Sequence, residues 1–306
     1  MKTAFLFPGQ GAQYVGMARD FVDNFMEAKD VFHRAANALN PGLVDIIFEG
    51  PEEQLQITQV TQPAILTASY AIYSVVQRAG IIPDAVAGLS LGEYTALVTA
   101  GTISFEEALP LVQKRGIFMQ EAVPAGEGTM AAIMGLPHEK VEDICSAAAE
   151  LGLVSPANFN CPGQIVISGN RNAVRRAMDL AGKAGAKKIT ELKVSAPFHC
   201  ALLKPVEEKL TVELEKTVIN QPSVPVIFNV SASFADQPSL IKENLVQQVS
   251  NPILWEQSII KLVDIGIERF ISFGPGNSLA RLMKRIAPGL RTTSVEKISD
   301  LESLNN

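Results

Sequence analysis

The sequence predicts an α/β fold, in which a large, hydrolase-like domain with a mainly parallel sheet carries a small ferredoxin-like α+β subdomain inserted in it. Three observations support this prediction. A short apolar strand at residues 3–7 is followed by helices and then by a second apolar strand. That second strand leads into Gly88-x-Ser90-x-Gly92, the strand–turn–helix pattern of a nucleophile elbow. Residues 126–195 then change to the order β-α-β, β-α-β, which is the ferredoxin-like pattern.

The predicted large domain is discontinuous, because the subdomain interrupts it. It comprises residues 1–125 and 196–306, and the subdomain comprises residues 126–195. A proline- and glycine-rich stretch at residues 124–128 marks the first boundary. The subdomain has predicted strands at 129–134, 154–159, 164–168 and 187–194 and predicted helices at 138–150 and 172–182.

Helices and strands alternate in the predicted large domain. The spacing of apolar residues predicts one helical region over residues 17–39. Pro63 is expected in the first turn of a helix over residues 64–78, because proline suits that position. A capping box at residues 104–107 begins another helix. Residues 269–273 are predicted to form the last buried strand.

Composition limits the classes of function. The chain of 306 residues has a net charge of -6 and is 47% hydrophobic, which indicates a globular protein. The acidic balance argues against nucleic-acid binding, because phosphate recognition needs a basic face. No apolar run approaches bilayer length, and the first one ends at Pro8, so we expect neither a membrane association nor a secretory signal. Three cysteines without metal-ligand spacing favour reduced thiols, a cytoplasmic location and no metal site.

Ser90 is the candidate nucleophile. The turn of an elbow lifts the serine hydroxyl clear of its neighbours, and Gly88 and Gly92 allow other segments to approach closely. An unreactive serine in a glycine-bracketed turn is the alternative, because GxSxG also occurs by chance. His199 follows the apolar Phe198 in a loop-like junction, and an activated serine needs one base with a pKa near neutrality. A structural histidine is the alternative there.

Two further segments carry polar groups suited to a binding site. Pro8-Gly9-Gln10-Gly11 follows the first strand, and its glycines free the backbone for close approach, although a plain strand-to-helix loop would look the same. Arg115 lies among apolar neighbours on a helix, where it is either a snorkelling surface arginine or an anion clamp. A guanidinium suits the second role because it binds a carboxylate through two parallel hydrogen bonds.

Six motifs occur in one order along the chain. They are Phe7-Pro8-Gly9-Gln10-Gly11, Gly88-Leu89-Ser90-Leu91-Gly92-Glu93-Tyr94, Arg115 with Met119-Gln120, Asn158-Phe159-Asn160, Pro197-Phe198-His199 and Phe273-Gly274-Pro275-Gly276-Asn277. Together they resemble the discrete malonyl-CoA:acyl carrier protein transacylases of bacterial fatty-acid synthesis. The chain is also similar to the acyltransferase domains of polyketide synthases. The resemblance covers nearly the whole chain, and the ordered set is far more specific than any single motif.

The resemblance implies an acyltransferase with a ping-pong mechanism. The enzyme would move the malonyl group from malonyl-CoA to the phosphopantetheine thiol of acyl carrier protein. Ser90 would carry the malonyl group as an ester, and His199 would be its base. The backbone amides of Gln10 and Leu91 would form the oxyanion hole, where each donor is worth roughly 3–4 kcal/mol. The sequence shows no carboxylate at triad spacing, which favours a Ser–His pair with amide support.

The resemblance also implies how the acyl group is selected. Arg115 would bind the malonyl carboxylate, and acetyl would leave that arginine unpaired. The family position of Gln248 orients the histidine, and the position of Asn160 lines the active site. Phe198 resembles the residue that accompanies malonyl selectivity in polyketide acyltransferases. The chain departs from the family pattern at Leu89, where histidine is common before the serine.

The implied partners are malonyl-CoA and acyl carrier protein, with no cofactor and a monomeric state. The acidic carrier would need local basic clusters, for which Lys187-Lys188 and Lys284-Arg285 are candidates. Three other functions stay open. The first is a trans-acting polyketide synthase acyltransferase. The others are a serine esterase, which would need a histidine near the C-terminus, and a non-catalytic carrier-binding protein.

Overall fold

Ten strands and thirteen α-helices form the part of the chain that the computed structural model describes, residues 1–78, 80–124 and 126–304. Ala125, the last residue of the first predicted segment, lies outside it. The strands are β1 Lys2–Phe7, β2 Ala85–Gly88, β3 Gly128–Met134, β4 Val154–Cys161, β5 Gln164–Asn170, β6 Lys188–Glu191, β7 Val226–Phe228, β8 Ser233–Phe234, β9 Ile267–Phe273 and β10 Arg291–Val295.

In the described residues, seven α-helices come before residue 125 and six come after it. The first group is α1 Arg19–Asn24, α2 Met26–Ala38, α3 Gly42–Glu49, α4 Glu52–Leu55, α5 Thr58–Arg78, α6 Gly92–Thr99 and α7 Phe105–Glu121. The second group is α8 His138–Ala148, α9 Arg171–Lys183, α10 Lys204–Lys216, α11 Pro238–Gln248, α12 Trp255–Asp264 and α13 Ser278–Ile286.

The large sheet has six strands in the order β10-β9-β1-β2-β7-β8. All pairs are parallel except β7 with β8, so the predicted mainly parallel sheet is confirmed. In β1, Phe5 and Phe7 pack into one apolar cluster, whereas Ala4 and Leu6 pack into another. This alternation buries both faces of the sheet, which is why a strand of uninterrupted apolar residues forms its centre.

The small sheet has four antiparallel strands in the order β4-β5-β3-β6. This is the strand order of the ferredoxin-like pattern, so the predicted α+β subdomain class is confirmed. Ala131 and Ile133 of β3 pack with α8 and α9, while Met130 belongs to the apolar cluster of the large domain. The small sheet therefore turns one face towards its own helices and the other towards the large domain. The predicted domain boundaries stay a prediction.

Two predicted helical elements differ from the structure, and one observed strand was not predicted. The region 17–39 contains two helices, because Phe25 adopts an extended conformation that closes α1 and begins α2. The apolar spacing continues across this break and hides it. Helix α5 begins at Thr58, so Pro63 lies inside the helix, where its missing N–H leaves the ladder one bond short. Strand β10 follows β9 and was missed because an edge strand reading Arg-Thr-Thr-Ser-Val carries only one large apolar residue.

The described residues include neither a membrane-spanning helix nor a metal-binding cluster. No helix there is both long enough and apolar enough to cross a bilayer. No group of three or more His, Cys, Asp or Glu side chains there is arranged to hold a metal ion. All three cysteines are buried, and none of them forms a disulfide.

Candidate active site

The candidate site lies where three parallel strands end. The loop after β1 brings Gln10, the turn after β2 brings Ser90, and the residue after β7 is Asn229. Carboxyl ends of parallel strands meet at one edge of a sheet, which is where such folds bind ligands. The small sheet covers this edge and encloses a cavity of about 290 Å³. The cavity is lined by Gly9, Gln10, Gln62, Leu89, Ser90, Leu91, Arg115, Met119, Met130, Ala132, Asn158, Asn160, Gln164, Val166, Leu192, Val194, Phe198 and His199.

Ser90 stands on a strained turn. Its φ of 53° is left-handed, a conformation that costs a non-glycine residue about 1–3 kcal/mol and persists only where the surroundings hold it. A Cβ on Gly92 would overlap the carbonyl oxygen of Phe7, so the glycine lets α6 start directly against the end of β1. This geometry is that of the predicted nucleophile elbow.

Ser90 and His199 are in direct contact. The Ser90 Oγ lies 2.8 Å from His199 Nε2, and His199 Nδ1 lies 2.8 Å from the carbonyl oxygen of Gln248. A carbonyl only accepts, so Nδ1 carries the proton and Nε2 is free to accept the serine hydroxyl. His199 also has a left-handed φ, 58°, which aims its ring at the serine from the chain junction.

The imidazole of His199 is neutral. Its pKa is lowered from 6.5 to about 3, mainly because burial would remove the hydration of a charged ring, and also because of the positive charge of Arg115. The hydrogen bond to the Gln248 carbonyl has a smaller, opposite effect and raises the pKa of His199. The ring is therefore unprotonated and able to take a proton across the physiological pH range.

Arg115 is a buried cation, not a snorkelling surface residue. It is 1% exposed, and its guanidinium donates to Gln62 Oε1 at 2.8 Å, to Gln248 Oε1 at 2.8 Å and to Ser90 Oγ at 3.2 Å. Helix α7 approaches α5 closely because Gly116 has no side chain. A Cβ at this position would lie 2.8 Å from Gln59 Cα, which is too close. This approach brings Arg115 next to the polar side chain of Gln62.

The charge of Arg115 has no anionic partner in the described part of the chain. None of the ion pairs found there includes Arg115, and its Nε–H has no acceptor. The Tyr94 ring lies 5.5 Å from its Cζ atom, and burial lowers the pKa of the guanidinium. A buried cation held only by neutral acceptors is costly, and a carboxylate entering the cavity would relieve that cost.

The predicted oxyanion donors lie beside the serine. Gln10 and Leu91 both line the cavity, and neither backbone N–H donates to another group within the described residues. The side chain of Gln10 is held by Thr58 Oγ1 at 3.3 Å. Leu91 precedes the first residue of α6, so its N–H is one of the unpaired donors of a helix start.

Gln248 makes more contacts than the sequence indicated. Its backbone carbonyl accepts from His199, its Oε1 accepts from Arg115, and its Nε2 donates to the Ser90 carbonyl at 3.1 Å. The side chain is fully buried at the end of α11. One residue thus joins the base, the cation and the backbone of the serine turn.

Three other predicted residues face the cavity or its rim. Phe198 is 7% exposed and lines the cavity beside His199. Asn160 is 9% exposed, and its Oδ1 has no partner in the described residues, so it can accept a ligand N–H. Leu89 lines the same cavity and packs against the apolar cluster that contains Trp255. An apolar residue in this position adds no titratable group beside Ser90.

A second cavity of about 480 Å³ adjoins the first and shares Gly9, Gln10, Leu89, Asn160 and Gln164 with it. Its other lining residues are Gly11, Ala12, Met134, Ser278, Arg281, Leu282 and Arg285.

The rim of this second cavity is basic. Arg285, on α13, donates to Gln164 Oε1 at 3.2 Å, at the start of β5 in the small sheet. Lys187 N–H donates to the Met134 carbonyl, which places Lys187 beside a lining residue. One residue of each predicted basic cluster, Arg285 and Lys187, therefore lies in the lining of this cavity or next to it.

Sequence reasoning missed two residues of this site, Asn229 and Glu93. Both are completely buried. Asn229 accepts a hydrogen bond from the Ser90 N–H, and Glu93, in the helix after the serine, accepts one from the Asn229 N–H. The available signal was the position of Asn229 directly after the buried strand β7, at the edge where Ser90 also lies. Burial raises the pKa of Glu93 to about 8, so this carboxyl is neutral at pH 7.

Comparison with known proteins identifies one family. The family model described as an acyl transferase domain matches residues 4–299. The chain is 46% identical over 302 residues to the malonyl CoA-acyl carrier protein transacylase of Bacillus subtilis (strain 168), covering 98% of this chain and 95% of that protein. It is 46% identical over 297 residues to the protein of the same name from Escherichia coli (strain K12), covering 97% and 96%.

Solved structures have the same fold. An acyl carrier protein S-malonyltransferase from Vibrio cholerae gives a TM-score of 0.97 at 43% identity and covers 99% of this chain and 100% of that chain. A malonyl-transacylase in complex with a type II PKS acyl-carrier protein gives a TM-score of 0.98 at 42% identity, with 100% of both chains covered. These similarities confirm the predicted fold class.

Proposed function

We propose a function on the premise that this chain belongs to the acyl transferase family, and within it to the malonyl-CoA:acyl carrier protein transacylases. The enzyme transfers the malonyl group from malonyl-CoA to the phosphopantetheine thiol of acyl carrier protein. The observation that carries this proposal is the convergence of Ser90, the neutral base His199 and the unpaired cation Arg115 on one cavity. A nucleophile beside a carboxylate-binding group is what malonyl transfer requires.

In the first half-reaction, His199 Nε2 takes the proton of Ser90 Oγ while Oγ attacks the thioester carbonyl carbon. The N–H groups of Gln10 and Leu91 stabilise the resulting oxyanion, and no side chain has to move to supply them. The intermediate collapses, the carbon–sulfur bond breaks, and the departing thiol takes the proton from His199. The malonyl group is left as an ester on Ser90.

The second half-reaction reverses the first with a different thiol. The carrier's phosphopantetheine thiol gives its proton to His199 Nε2 and attacks the ester carbon. The carbon–oxygen bond breaks, Ser90 Oγ recovers the proton from His199, and the malonyl thioester leaves. No proton or electron is gained or lost over the cycle, so we propose that the reaction needs no cofactor.

The substrate carboxylate serves both selection and catalysis. Bound to Arg115, it neutralises the positive charge that holds down the pKa of His199. The imidazolium formed during attack is then less unfavourable than it would be with acetyl as the acyl group. Malonyl is therefore favoured over acetyl both in substrate binding and in proton transfer to His199. Phe198 limits the space beside the acyl group.

The second cavity is the proposed path of the phosphopantetheine arm. It joins the serine cavity at Asn160, whose unpartnered Oδ1 suits an amide N–H of the arm. Its lining includes the basic residues Arg281 and Arg285, and Lys187 lies next to the lining residue Met134, which suits an acidic carrier protein. We further propose that the enzyme acts as a cytoplasmic monomer, since its buried free thiols suit a reducing compartment.

Service to a polyketide pathway is the second candidate function. It is favoured by the 42% identity to a malonyl-transacylase solved with a type II PKS acyl-carrier protein. The chemistry at Ser90 is the same in both pathways, so only the carrier differs. Competing fatty-acid and polyketide carriers in one transfer assay would distinguish them by their relative kcat/KM values.

The direct test is intact-mass measurement after mixing the enzyme with malonyl-CoA. A malonyl adduct that maps to Ser90, is absent from Ser90→Ala and disappears on adding holo carrier protein is the expected result. A serine esterase would release free malonate without a carrier, and a non-catalytic carrier-binding protein would form no adduct. Either outcome would contradict the proposed transfer.

A further inference from the structure

Asn229 makes four hydrogen bonds at the serine turn, two through its side chain and two through its backbone. It is 0% exposed and directly follows β7. Its Oδ1 accepts from the Ser90 N–H at 2.6 Å, and its Nδ2 donates to the Gly88 carbonyl at 2.7 Å. Its backbone N–H donates to Glu93 Oε2 at 2.6 Å, and its carbonyl accepts from Leu254 N–H at 2.8 Å.

These bonds fix the two peptide groups on either side of Leu89. The Gly88 carbonyl belongs to the peptide before Leu89, and the Ser90 N–H belongs to the peptide after it. The Leu89 N–H is held in turn by the Phe7 carbonyl at 3.0 Å. A single amide side chain, with one acceptor and one donor, matches both peptides at once. Rotation of either peptide would break a buried hydrogen bond.

The contacts also decide which backbone donors remain free. The Ser90 N–H is used by Asn229, and the Ser90 carbonyl is held by Gln248 Nε2. The next N–H, that of Leu91, is left without a protein partner among the described residues. The turn is therefore oriented by side chains from β7 and α11 so that Leu91, and not Ser90, offers its N–H to a ligand.

Glu93 holds Asn229 in turn. It lies in the first turn of α6, three residues after Ser90, and accepts the Asn229 backbone N–H. Asn229 and Glu93 thus connect the strand end, the serine turn and the helix in one closed set of bonds. Neither Asn229 nor Glu93 lines the cavity, so neither is placed to contact substrate.

We propose that Asn229 is a positioning residue that holds Ser90 in its left-handed conformation and orients the Leu91 N–H for the oxyanion. This proposal rests on the proposed role of Ser90 as the acylated nucleophile. Loss of the Asn229 amide leaves the cavity and Arg115 in place but lets the serine turn relax. The effect should therefore fall on the chemical step and not on substrate binding.

The test compares Asn229→Ala and Asn229→Ser with Asn170→Ala. Asn170 is a matched control because its Oδ1 also accepts a backbone N–H, that of Leu153 at 2.7 Å, but in the small sheet. Each variant is assayed for kcat and KM with malonyl-CoA and holo carrier protein. Each is also assayed for the rate at which phenylmethanesulfonyl fluoride, an uncharged reagent, modifies Ser90.

We expect Asn229→Ala to lower kcat and the labelling rate on the order of 100-fold, with KM within about threefold of wild type. The serine variant, whose shorter side chain reaches only one of the two peptides, should lose less. Asn170→Ala should keep both rates within about twofold even where its thermal stability falls equally.

Two results would overturn the proposal. The first is a folded Asn229 variant with kcat and labelling within about threefold of wild type. The second is an equal loss in Asn170→Ala, which would show a general effect of stability. If Asn229→Ala does not fold, Asn229→Ser decides the question by the same criteria. Should wild type form no malonyl adduct, the proposed function fails, while labelling still tests the positioning of Ser90.

Discussion

Arg115 and His199 meet at one atom, the Ser90 hydroxyl oxygen. Arg115 Nη2 lies 3.2 Å from Ser90 Oγ, and His199 Nε2 lies 2.8 Å from it. The hydroxyl accepts from the guanidinium and donates to the imidazole, so its proton already points at the base. Burial and this cation together keep the imidazole neutral, and the cation lies within hydrogen-bond distance of the hydroxyl that would be acylated. Selection and base strength therefore depend on the same residue.

Replacing Arg115 should change the choice of acyl group. In Arg115→Ala, kcat/KM for malonyl-CoA should fall on the order of 100-fold more than kcat/KM for acetyl-CoA, because only malonyl loses a charged partner. Arg115→Lys keeps the charge but not the parallel hydrogen bonds and should lie between. Steady-state transfer with both substrates measures this difference. Equal losses for the two acyl groups would show that Arg115 does not bind the carboxylate.

The side chain of Gln248 should matter to malonyl more than to acetyl. Gln248→Met removes one acceptor of Arg115 and the donor to the Ser90 carbonyl, but keeps the backbone carbonyl that orients His199. A hydrogen bond to a charged group contributes about 1.5–3 kcal/mol, so malonyl transfer should fall about 10- to 100-fold. The control is Gln247→Met, an exposed neighbour on the same helix. A loss in Gln247→Met as large as that in Gln248→Met would contradict this role.

Serine reactivity should persist to unusually low pH. Because the pKa of His199 is lowered to about 3, labelling of Ser90 by phenylmethanesulfonyl fluoride should stay nearly constant from pH 8 down to about pH 5. Arg115→Ala removes one cause of the lowered pKa, so its rate should begin to fall at a higher pH. Arg281→Ala, at the second cavity, is the control. An inflection of the wild-type rate near pH 6.5 would contradict the buried neutral base.

Glu93 should make the protein less stable as pH rises. Its pKa is about 8 in the fold and 4.5 when exposed, so the folded state binds more protons between these values. The free energy of unfolding therefore decreases with rising pH, by about 1–2 kcal/mol between pH 6.5 and 8. Glu93→Gln keeps an acceptor for Asn229 and should flatten this decrease. Urea unfolding at both pH values measures it, and equal decreases in the two proteins would refute the assignment.

Carrier docking should depend on the basic rim. Lys187→Glu and Lys284→Glu should each raise KM for holo carrier protein several-fold at low salt and leave the rate of Ser90 acylation by malonyl-CoA unchanged. Lys29→Glu, an exposed residue on α2, is the matched control for net charge. The effect should fade as ionic strength rises. Unchanged KM in both rim variants would place docking on another surface.

Local pattern was enough for most of the fold. The apolar strand β1, the elbow around Ser90 and the β-α-β, β-α-β order follow from spacing and turn residues within a few positions of each other. Pattern failed where the signal was weak or misleading. Strand β10 is an edge with little apolar content, and Pro63 was read as a helix start although the preceding turn is also helical.

The candidate site likewise contains residues that the local sequence predicts and contacts that it does not predict. Residue type, motif order and family resemblance were enough to predict Ser90, His199 and Arg115 as the reactive groups. How these groups act together depends on long-range contacts in the folded chain. In the fold, Arg115 is a buried cation, Gln248 bonds to three residues, and Asn229 and Glu93 hold the serine turn. These contacts join residues that are 25 to 158 positions apart in the sequence. Such contacts form when strands align at one sheet edge, and no local spacing encodes which distant side chains meet there.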